Sequence, residues 1–156
     1  MFLPLETFRT IVASTPLIAI DLIVRNLQGQ ILLGKRLNRP AQGSWFVPGG
    51  RVLKNETLDD AFERLTHSEL GRSYERSQAS FLGIYEHFYE DSVFGQAVAD
   101  PSSHYVVLAY QLFVPVGDIL ELPAQQHAEY RWDSILELNA CSDTHENTRA
   151  YLLSLI

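Results

Sequence analysis

The chain has 156 residues, 46% of them hydrophobic, and this length and composition predict one domain, spanning residues 1–156, with a substantial apolar core. The formal net charge of −7 argues against a general nucleic-acid-binding protein, because such proteins carry a positive surface. No apolar run of about 18 residues is present and the N-terminus lacks a basic start, so we expect neither a membrane span nor a secretory signal.

The first half of the chain predicts a helix, a hairpin and a glycine-containing loop. Residues 5–13 are short and amphipathic, which indicates a helix that ends before a Thr-Pro pair. Residues 17–24 form a β-rich apolar run, and residues 30–36 follow a turn as its hairpin partner. Residues 39–50 predict a loop, a short strand and a second loop that contains Pro48-Gly49-Gly50.

The second half predicts a longer helix followed by several strands. The helix spans 57–71, with Thr57 near its start and Gly71 as its C-terminal stop. Further along, the alternation of side chains predicts strands at 79–89 and 104–115, and residues 129–132 predict a third, short strand. The polar segment 90–103 predicts a long hairpin loop between the first two strands. The tail from Ser134 has helical character. Mixed strands with few helices favour an α+β fold or an α/β sandwich.

The positive charges are unevenly distributed. Of the 12 Lys and Arg residues, eight lie in one stretch of the chain: Lys35, Arg36, Arg39, Arg51, Lys54, Arg64, Arg72 and Arg76. This pattern suits a site for a small anionic ligand, and it suits a solvated surface patch equally well. The single cysteine, Cys141, excludes an internal disulfide and a cysteine-built zinc site, and it favours a reducing, cytoplasmic setting.

One carboxylate in the predicted helix stands out. On a helical wheel, Glu69 falls in the middle of the apolar stripe that Leu58, Phe62 and Leu65 form. A carboxylate on a buried face must be paired, protonated or metal-bound, because leaving it alone costs several kcal/mol, roughly. The alternative is a glutamate that reaches solvent from the last helical turn.

The glycine pair upstream of this helix lets bare backbone approach a ligand. Together with Glu69 and Arg51, the Gly49-Gly50 loop predicts a cradle for Mg²⁺ and a diphosphate. Glu56 and Arg64 are about two helical turns apart and can pair, which indicates structural support for helix and loop.

These residues resemble the Nudix box, which runs Gly, five residues, Glu, seven residues, then Arg-Glu-hydrophobic-X-Glu-Glu-X-Gly-hydrophobic. Five positions are in register: Gly50, Glu56, Arg64, Glu69 and Gly71. Two expected glutamates are replaced, by Leu65 and Ser68. The resemblance implies an α/β/α sandwich with a mixed β-sheet between helices, and the replacements argue against ordinary phosphoanhydride cleavage.

The chain resembles one branch of this superfamily most closely, the GDP-mannose mannosyl hydrolases, whose box is degenerate in the same way. The likeness extends over nearly the whole chain, through stretches such as LLGKR, NRPAQG, WFVPGGRV, AFERLT, HYVVL and NTRAY. It implies hydrolysis of GDP-mannose or a related GDP-hexose to GDP and free hexose, with attack at the anomeric carbon and inversion. It also implies a homodimer.

The resemblance implies a metal site and a base. One Mg²⁺ per subunit would be held by the Gly49 carbonyl, the Glu69 carboxylate and the Gln126 side chain. His127 would be the general base, and histidine suits this role because it titrates near neutral pH. Without the resemblance, a histidine in the predicted loop before residues 129–132 would be an ordinary exposed residue.

The resemblance also implies residues for the diphosphate and the sugar. Arg36 and Arg51 would clamp the diphosphate, since Arg makes bidentate contacts with phosphate. Tyr105 would add a hydrogen bond to the leaving phosphate. Asp21 interrupts a buried strand and needs a partner; the resemblance suggests Arg36, His87 or sugar hydroxyls, and a plain buried salt bridge is the alternative.

The nucleotide would lie near a subunit boundary, lined by Phe2, Leu3 and Phe8, with Tyr89 stacked on guanine. Composition alone would assign the first three to the core or a dimer contact, to which helix 5–13 would contribute. Two other functions stay open: a Nudix pyrophosphohydrolase that gives GMP and a sugar 1-phosphate, and a non-catalytic nucleotide-sugar-binding domain.

Overall fold

The computed structural model describes residues 3–125 and 127–155. Its strands are β1 Leu17–Arg25, β2 Ile31–Arg36, β3 Trp45–Phe46, β4 Gly49–Arg51, β5 Ser80–Tyr89, β6 Ser103–Phe113 and β7 His127–Asp133. Its helices are α1 Leu5–Ser14, α2 Leu58–Leu70, α3 Ile135–Ala140 and α4 Glu146–Arg149, with 3₁₀ helices at Arg76–Gln78 and Ala150–Ser154. All the predicted elements are present, with ends shifted by a few residues.

The strands form a mixed sheet around one parallel pair. Its order is β3-β2-β1-β6-β5, with β4 paired to β1 and β7 paired to β2. Strands β1 and β6 run parallel, in register from Leu17 opposite Tyr105 to Arg25 opposite Phe113. The other pairs are antiparallel, including the predicted β1–β2 hairpin and the β5–β6 pair.

Helices cover both faces of the sheet. On one face, Phe62 and Leu65 of α2 pack with Ile20 and Leu22 of β1. Side chains alternate along a strand, so Asp21 and its neighbours two residues away point to the opposite face. There a second cluster joins the sheet to side chains of α3 and the final 3₁₀ helix: Ile23, Leu33, Leu138, Tyr151 and Leu152. The predicted α/β/α sandwich is therefore confirmed.

Helix α2 begins and ends where its capping residues indicate. The Thr57 side chain accepts a hydrogen bond from the Asp60 backbone N–H at 3.1 Å, and Gly71 adopts a left-handed conformation with φ of 71°. In the part of the chain that the structure describes, no helix is both long and apolar enough to cross a membrane.

Two backbone predictions were wrong. Gly49 and Gly50 lie in strand β4 and not in a loop, because their backbone pairs with Ile20 and Asp21 of β1. His127 is the first residue of strand β7 and not a loop residue, opposite Arg36 of β2 across an irregularity in the register. Both strands form through partners distant in the sequence, which a local pattern cannot reveal.

Candidate functional site

A cavity of about 290 Å³ opens on the sheet face opposite α2. It brings together eight of the residues predicted for the site: Phe8, Asp21, Arg36, Gly49, Arg51, His87, Tyr89 and Tyr105. These residues come from α1 and from strands β1, β2, β4, β5 and β6. The sheet thus assembles in one place side chains that are spread over about a hundred positions of the sequence.

The other predicted residues lie elsewhere. Glu69 and His127 are buried and are not part of the cavity lining. Leu3 is 37% exposed and also lies outside the lining. The predictions for Phe2 and Gln126 fall outside the described residues.

Strand β4 lies between the cavity and helix α2. Gly49 lines the cavity, whereas a Cβ on Gly50 would approach Leu65 of α2. Glu69 follows Leu65 by one helical turn on the same face of α2 and is 1% exposed. Its burial excludes the alternative that it reaches solvent.

Gly49 occupies a place where other residues do not fit. A Cβ at this position would come within 2.5 Å of the Ile20 carbonyl oxygen and 2.6 Å of the Asp21 Oδ1 atom. These distances are shorter than real Cβ contacts, so a side chain would force β4 away from β1. Here the glycine permits a close approach of β4 to β1, and the approach of its backbone to a ligand stays a prediction.

Asp21 is a buried carboxylate on the cavity wall. It is 7% exposed, and its Oδ2 atom accepts a hydrogen bond from the Tyr151 hydroxyl at 2.5 Å. Burial raises the pKa of Asp21 to about 7, against the opposing effects of the Tyr151 hydrogen bond and the Arg36 charge. Its hydrogen-bond donor is thus a tyrosine, and not the cation of the predicted salt bridge.

His87 lies beside the same hydroxyl. It is 4% exposed, and its Nε2 atom is 3.3 Å from the Tyr151 hydroxyl. Burial, with a smaller contribution from His145, lowers the pKa of His87 to about 4. The imidazole is therefore neutral near pH 7 and can act as a hydrogen-bond donor or acceptor towards a ligand.

Two of the three arginines that line the cavity, Arg36 and Arg51, contact other groups of the protein. The Arg36 Nε–H donates to the Pro40 carbonyl at 2.8 Å, and this bond uses one of the five N–H donors of the guanidinium. The Arg51 guanidinium lies 4.2 Å from the centroid of the Phe8 ring, a cation–π contact. Burial lowers the pKa of Arg51, but arginine keeps its charge at physiological pH.

Two tyrosines complete the wall. Burial raises the pKa of Tyr105 above its ordinary value, so its hydroxyl stays protonated and can donate. The Tyr89 hydroxyl accepts a hydrogen bond from the Asn147 side-chain amide at 3.0 Å. That bond connects the Tyr89 ring to the C-terminal segment. Burial raises the pKa of the Tyr89 hydroxyl above its ordinary value.

His127 is held as a neutral imidazole by its neighbours. The Tyr130 hydroxyl donates to the Pro123 carbonyl at 2.5 Å and lies 3.3 Å from His127 Nδ1. Because the single hydroxyl proton goes to Pro123, the Tyr130 oxygen accepts from Nδ1–H, which leaves the lone pair on Nε2. Nε2 is buried and has no hydrogen-bond partner among the described residues.

The protonation of His127 follows from its surroundings. Burial, followed by the charge of Arg36, lowers its pKa to about 4. Its ring lies against bare backbone, because a Cβ on Gly34 would come within 2.5 Å of it. Burial and the charge of Glu69 raise the pKa of Tyr130 to about 12, so this hydroxyl stays protonated.

Glu56 and Arg64 form the predicted structural pair. The Arg64 Nε and Nη2 atoms donate to Glu56 at 2.6 and 2.9 Å, and Nη2 also donates to the Arg51 carbonyl at 2.8 Å. The Leu53 backbone N–H donates to Glu56 at 2.9 Å. This network connects α2 to the backbone of Arg51, one of the three arginines that line the cavity.

The cluster of positive charges divides between surface pairs and the cavity. Three of the eight residues form ion pairs away from the cavity lining: Arg64 with Glu56, Arg72 with Asp118, and Arg76 with Asp59. Arg36, Arg39 and Arg51 line the cavity, and Arg39 also pairs with Asp91 at 3.0 Å. Part of the cluster therefore forms surface ion pairs, and a site for an anionic ligand at the cavity arginines stays a prediction.

Sequence reasoning missed Tyr130 and Tyr151, which orient the site histidines and Asp21. Tyr130 follows His127 by three residues, but its link depends on the Pro123 carbonyl. Tyr151 is 130 positions from Asp21. The single clue was that a buried Asp21 requires a donor, and no pattern indicated which one.

Candidate metal ligands are few. Within residues 3–125 and 127–155, no group of three or more His, Cys, Asp or Glu side chains could hold a metal ion. The proposed ligands are one carboxylate, one backbone carbonyl and one amide, so they do not form a group of that kind. That donor set suits Mg²⁺, which uses few protein oxygens and completes its shell with water and phosphate.

Comparison with known proteins indicates the family. Residues 15–155 match the family model of the NUDIX domain. The chain is 42% identical over 123 residues to the low-salt glycan biosynthesis protein Agl8 of Haloferax volcanii, covering 79% of this chain and 74% of that protein. It is 30% identical over 115 residues to the ADP-ribose pyrophosphatase of Methanocaldococcus jannaschii, covering 74% of this chain and 61% of that protein.

A solved structure indicates the same fold. The MutT NUDIX hydrolase from Burkholderia pseudomallei matches with a TM-score of 0.72 at 24% sequence identity. The match covers 92% of this chain and 100% of that chain. At this level of identity the likeness concerns the arrangement of helices and strands.

Proposed function

This chain belongs to the NUDIX domain family of hydrolases, and we propose that it hydrolyses GDP-mannose or a related GDP-hexose to GDP and free hexose. The observation that carries the proposal is a Nudix helix reduced to one buried carboxylate, Glu69, together with a buried neutral imidazole at His127. Attack at phosphorus calls for several metal-binding glutamates. Attack at carbon calls for a good leaving group and a separate base.

The metal in this proposal is a single Mg²⁺, held by the Gly49 carbonyl, Glu69 and Gln126. Gly49 and Glu69 fit this role, because the first is backbone where no Cβ fits and the second is a carboxylate on an apolar helix face. When bound, Mg²⁺ would neutralise charge on the diphosphate and make GDP a better leaving group. Other divalent ions with a preference for oxygen ligands would serve the same purpose.

The cavity arginines stabilise the leaving group in this proposal. Arg36 and Arg51 would bind the diphosphate, and the Tyr105 hydroxyl would donate to a phosphate oxygen. Charged donors in a water-poor cavity stabilise the negative charge that develops as the sugar leaves. The link from Arg64 to the Arg51 carbonyl supports this reading, because it fixes the backbone of one clamp residue.

His127 is the base in this proposal. Water attacks C1 of the hexose while its proton passes to Nε2 of His127. The C1–O bond breaks, and its electron pair stays on the phosphate oxygen of GDP. Attack from the side opposite the leaving group inverts the anomeric configuration.

The low pKa of His127 must rise for efficient catalysis, because a base works best when its pKa is near the working pH. Arg36 is the second cause of its lowering. A diphosphate bound to Arg36 would neutralise that charge, so substrate binding is expected to raise the pKa of His127.

The remaining predicted residues would bind the sugar and the nucleotide. Asp21 and His87 would contact the sugar hydroxyls, and Phe8 and Tyr89 line the cavity where the guanine would lie. Leu3 and Phe2 would contribute near a subunit boundary. A homodimer and a cytoplasmic location are further expectations from the resemblance.

The second candidate is a Nudix pyrophosphohydrolase that acts at phosphorus. The ADP-ribose pyrophosphatase of M. jannaschii supports it by its name, and Glu69 is retained. Agl8, named for glycan biosynthesis, fits a nucleotide-sugar substrate under either candidate. A non-catalytic nucleotide-sugar-binding domain is the third candidate. The buried, neutral imidazole of His127 argues against it, because a domain that only binds does not need a base.

Product analysis separates the three candidates. The protein is incubated with GDP-mannose and Mg²⁺, and the products are resolved by anion-exchange chromatography and by ¹H NMR of the anomeric proton. We expect GDP and mannose, with the β-anomer appearing first from the α-linked substrate. GMP and mannose 1-phosphate would support the second candidate, and no turnover would support the third.

A further inference from the structure

Tyr151 lies in the C-terminal 3₁₀ helix Ala150–Ser154 and is 1% exposed. Its ring packs edge-on against Tyr85 of β5, with 4.6 Å between the centroids. It belongs to the apolar cluster between the sheet and the C-terminal segment. A phenylalanine would serve this packing equally well, so the hydroxyl requires a separate explanation.

The hydroxyl joins two cavity residues that lie on different strands. It is 2.5 Å from Asp21 Oδ2 on β1 and 3.3 Å from His87 Nε2 on β5. A phenol has one proton and can also accept. When that proton goes to an ionised Asp21, the oxygen accepts from His87 Nε2–H, so one hydroxyl sets both the carboxylate orientation and the imidazole tautomer.

This arrangement determines what the cavity offers to a ligand. With Oδ2 of Asp21 occupied, Oδ1 is left as an acceptor beside Gly49, where a Cβ would approach it to 2.6 Å. With the His87 proton on Nε2, Nδ1 is a second acceptor. Two acceptors with fixed positions suit a ligand that carries neighbouring hydroxyl groups, which is the chemistry of a hexose.

We propose that Tyr151 is a positioning residue that holds Asp21 and His87 for recognition of the sugar hydroxyls and thereby sets the preference among GDP-hexoses. The inference rests on the proposed function for its substrate. A purely structural role, in which the hydroxyl only satisfies a buried carboxylate, is the competing explanation. Burying a carboxylate is costly, and an apolar pair would fill the same space more cheaply.

The test variant is Tyr151→Phe, which keeps the ring and removes the hydroxyl. Tyr74→Phe is its matched control, because Tyr74 is 3% exposed and its hydroxyl donates to Asp118 at 2.9 Å on the opposite face of the sheet. Urea unfolding first establishes that both variants fold. Initial rates are then measured with GDP-mannose and with its 2-epimer, GDP-glucose.

Tyr151→Phe is expected to lower kcat/KM for the preferred sugar by about 10- to 100-fold, since an interaction with a charged group is lost. The ratio of kcat/KM between the two sugars is expected to move towards one. Tyr74→Phe is expected to leave that ratio unchanged. An unchanged ratio in Tyr151→Phe, alongside a stability loss like that of Tyr74→Phe, would show a structural role and overturn the proposal.

A second measurement does not depend on turnover or on the variant. The ¹⁵N chemical shifts of His87 report its tautomer at about pH 8.5, where imidazole is neutral. We expect the proton on Nε2 in the unsubstituted protein, and a proton on Nδ1 would overturn the positioning role. If the protein hydrolyses no GDP-hexose, the proposed function and the substrate part of this inference fail, while the tautomer still decides the positioning part.

Discussion

The environment of His127 combines three effects that act on one imidazole. Tyr130 holds its Nδ1, bare backbone at Gly34 leaves room for its ring, and burial keeps it neutral. A base that accepts a proton through Nε2 needs the lone pair on that atom, and the contact with Tyr130 leaves the lone pair there.

Replacement of this histidine tests that role directly. His127→Gln is expected to lower turnover by about 10²–10⁴-fold, the usual contribution of a general base, because glutamine cannot accept the proton. The Mg²⁺ affinity is expected to change little, since His127 is not among the proposed ligands. Steady-state kinetics and calorimetric Mg²⁺ titration measure the two quantities.

His67→Gln is the control for this experiment, because His67 is exposed on α2. It is expected to retain unaltered turnover. If His127→Gln were as active as His67→Gln, another group would have to supply the base.

At the scale of single elements, strand β4 is expected to be sensitive to a small change at Gly49. Gly49→Ala places a Cβ against the Ile20 carbonyl and the Asp21 carboxylate, which belong to the neighbouring strand. We expect it to lower the free energy of unfolding by about 1–3 kcal/mol, the usual cost of overpacking. The shift of β4 is also expected to abolish stabilisation of the fold by Mg²⁺.

Gly50→Ala is the matched control, because its Cβ would meet side-chain atoms of Leu65, whereas a Cβ on Gly49 would meet backbone atoms of β1. Urea unfolding with and without Mg²⁺ measures both variants. Equal losses in the two variants would show that the Gly49 backbone has no special position.

The sequence predicts features that depend on local periodicity, but it does not predict contacts between distant elements. The wheel placed Glu69 on the apolar side of its helix, and the structure buries it, because helical periodicity is a local property. The sequence predicts loops at Gly49-Gly50 and at His127, whereas both lie in strands whose partners are far away in the chain. Tyr151 could not be linked to Asp21, because only the folded sheet brings the C-terminal segment to β1.

At the scale of the whole molecule, buried titratable groups make stability depend on pH in opposite directions. His87 and His127 have a pKa near 4 when folded, against 6.5 for an ordinary histidine, so below pH 6.5 the unfolded chain binds more protons. Each therefore removes up to about 3 kcal/mol of stability as the pH falls from 6.5 to 4. Asp21 acts oppositely, because its pKa of about 7 when folded exceeds the ordinary 3.8.

The balance predicts a steeper loss of stability in acid when Asp21 cannot take up a proton. As the pH falls from 7 to 3.8, proton uptake by folded Asp21 adds about 4 kcal/mol to the free energy of unfolding. Asp21→Asn keeps an acceptor for the Tyr151 hydroxyl but loses this contribution. Between pH 6.5 and 4, the free energy of unfolding is expected to fall more in this variant than in the unsubstituted protein. Urea unfolding across this pH range measures it, and parallel pH profiles would contradict the folded-state pKa of Asp21.

The central claim is that water attacks the sugar carbon, and the fate of the water oxygen tests it most directly. The protein is allowed to hydrolyse GDP-mannose in ¹⁸O-water with Mg²⁺, and the products are analysed promptly by mass spectrometry. Unlabelled mannose kept in the same water corrects for exchange at the anomeric position. We expect ¹⁸O in the mannose and none in the GDP, whereas ¹⁸O in GDP, GMP or the sugar phosphate would place the attack at phosphorus and contradict the account.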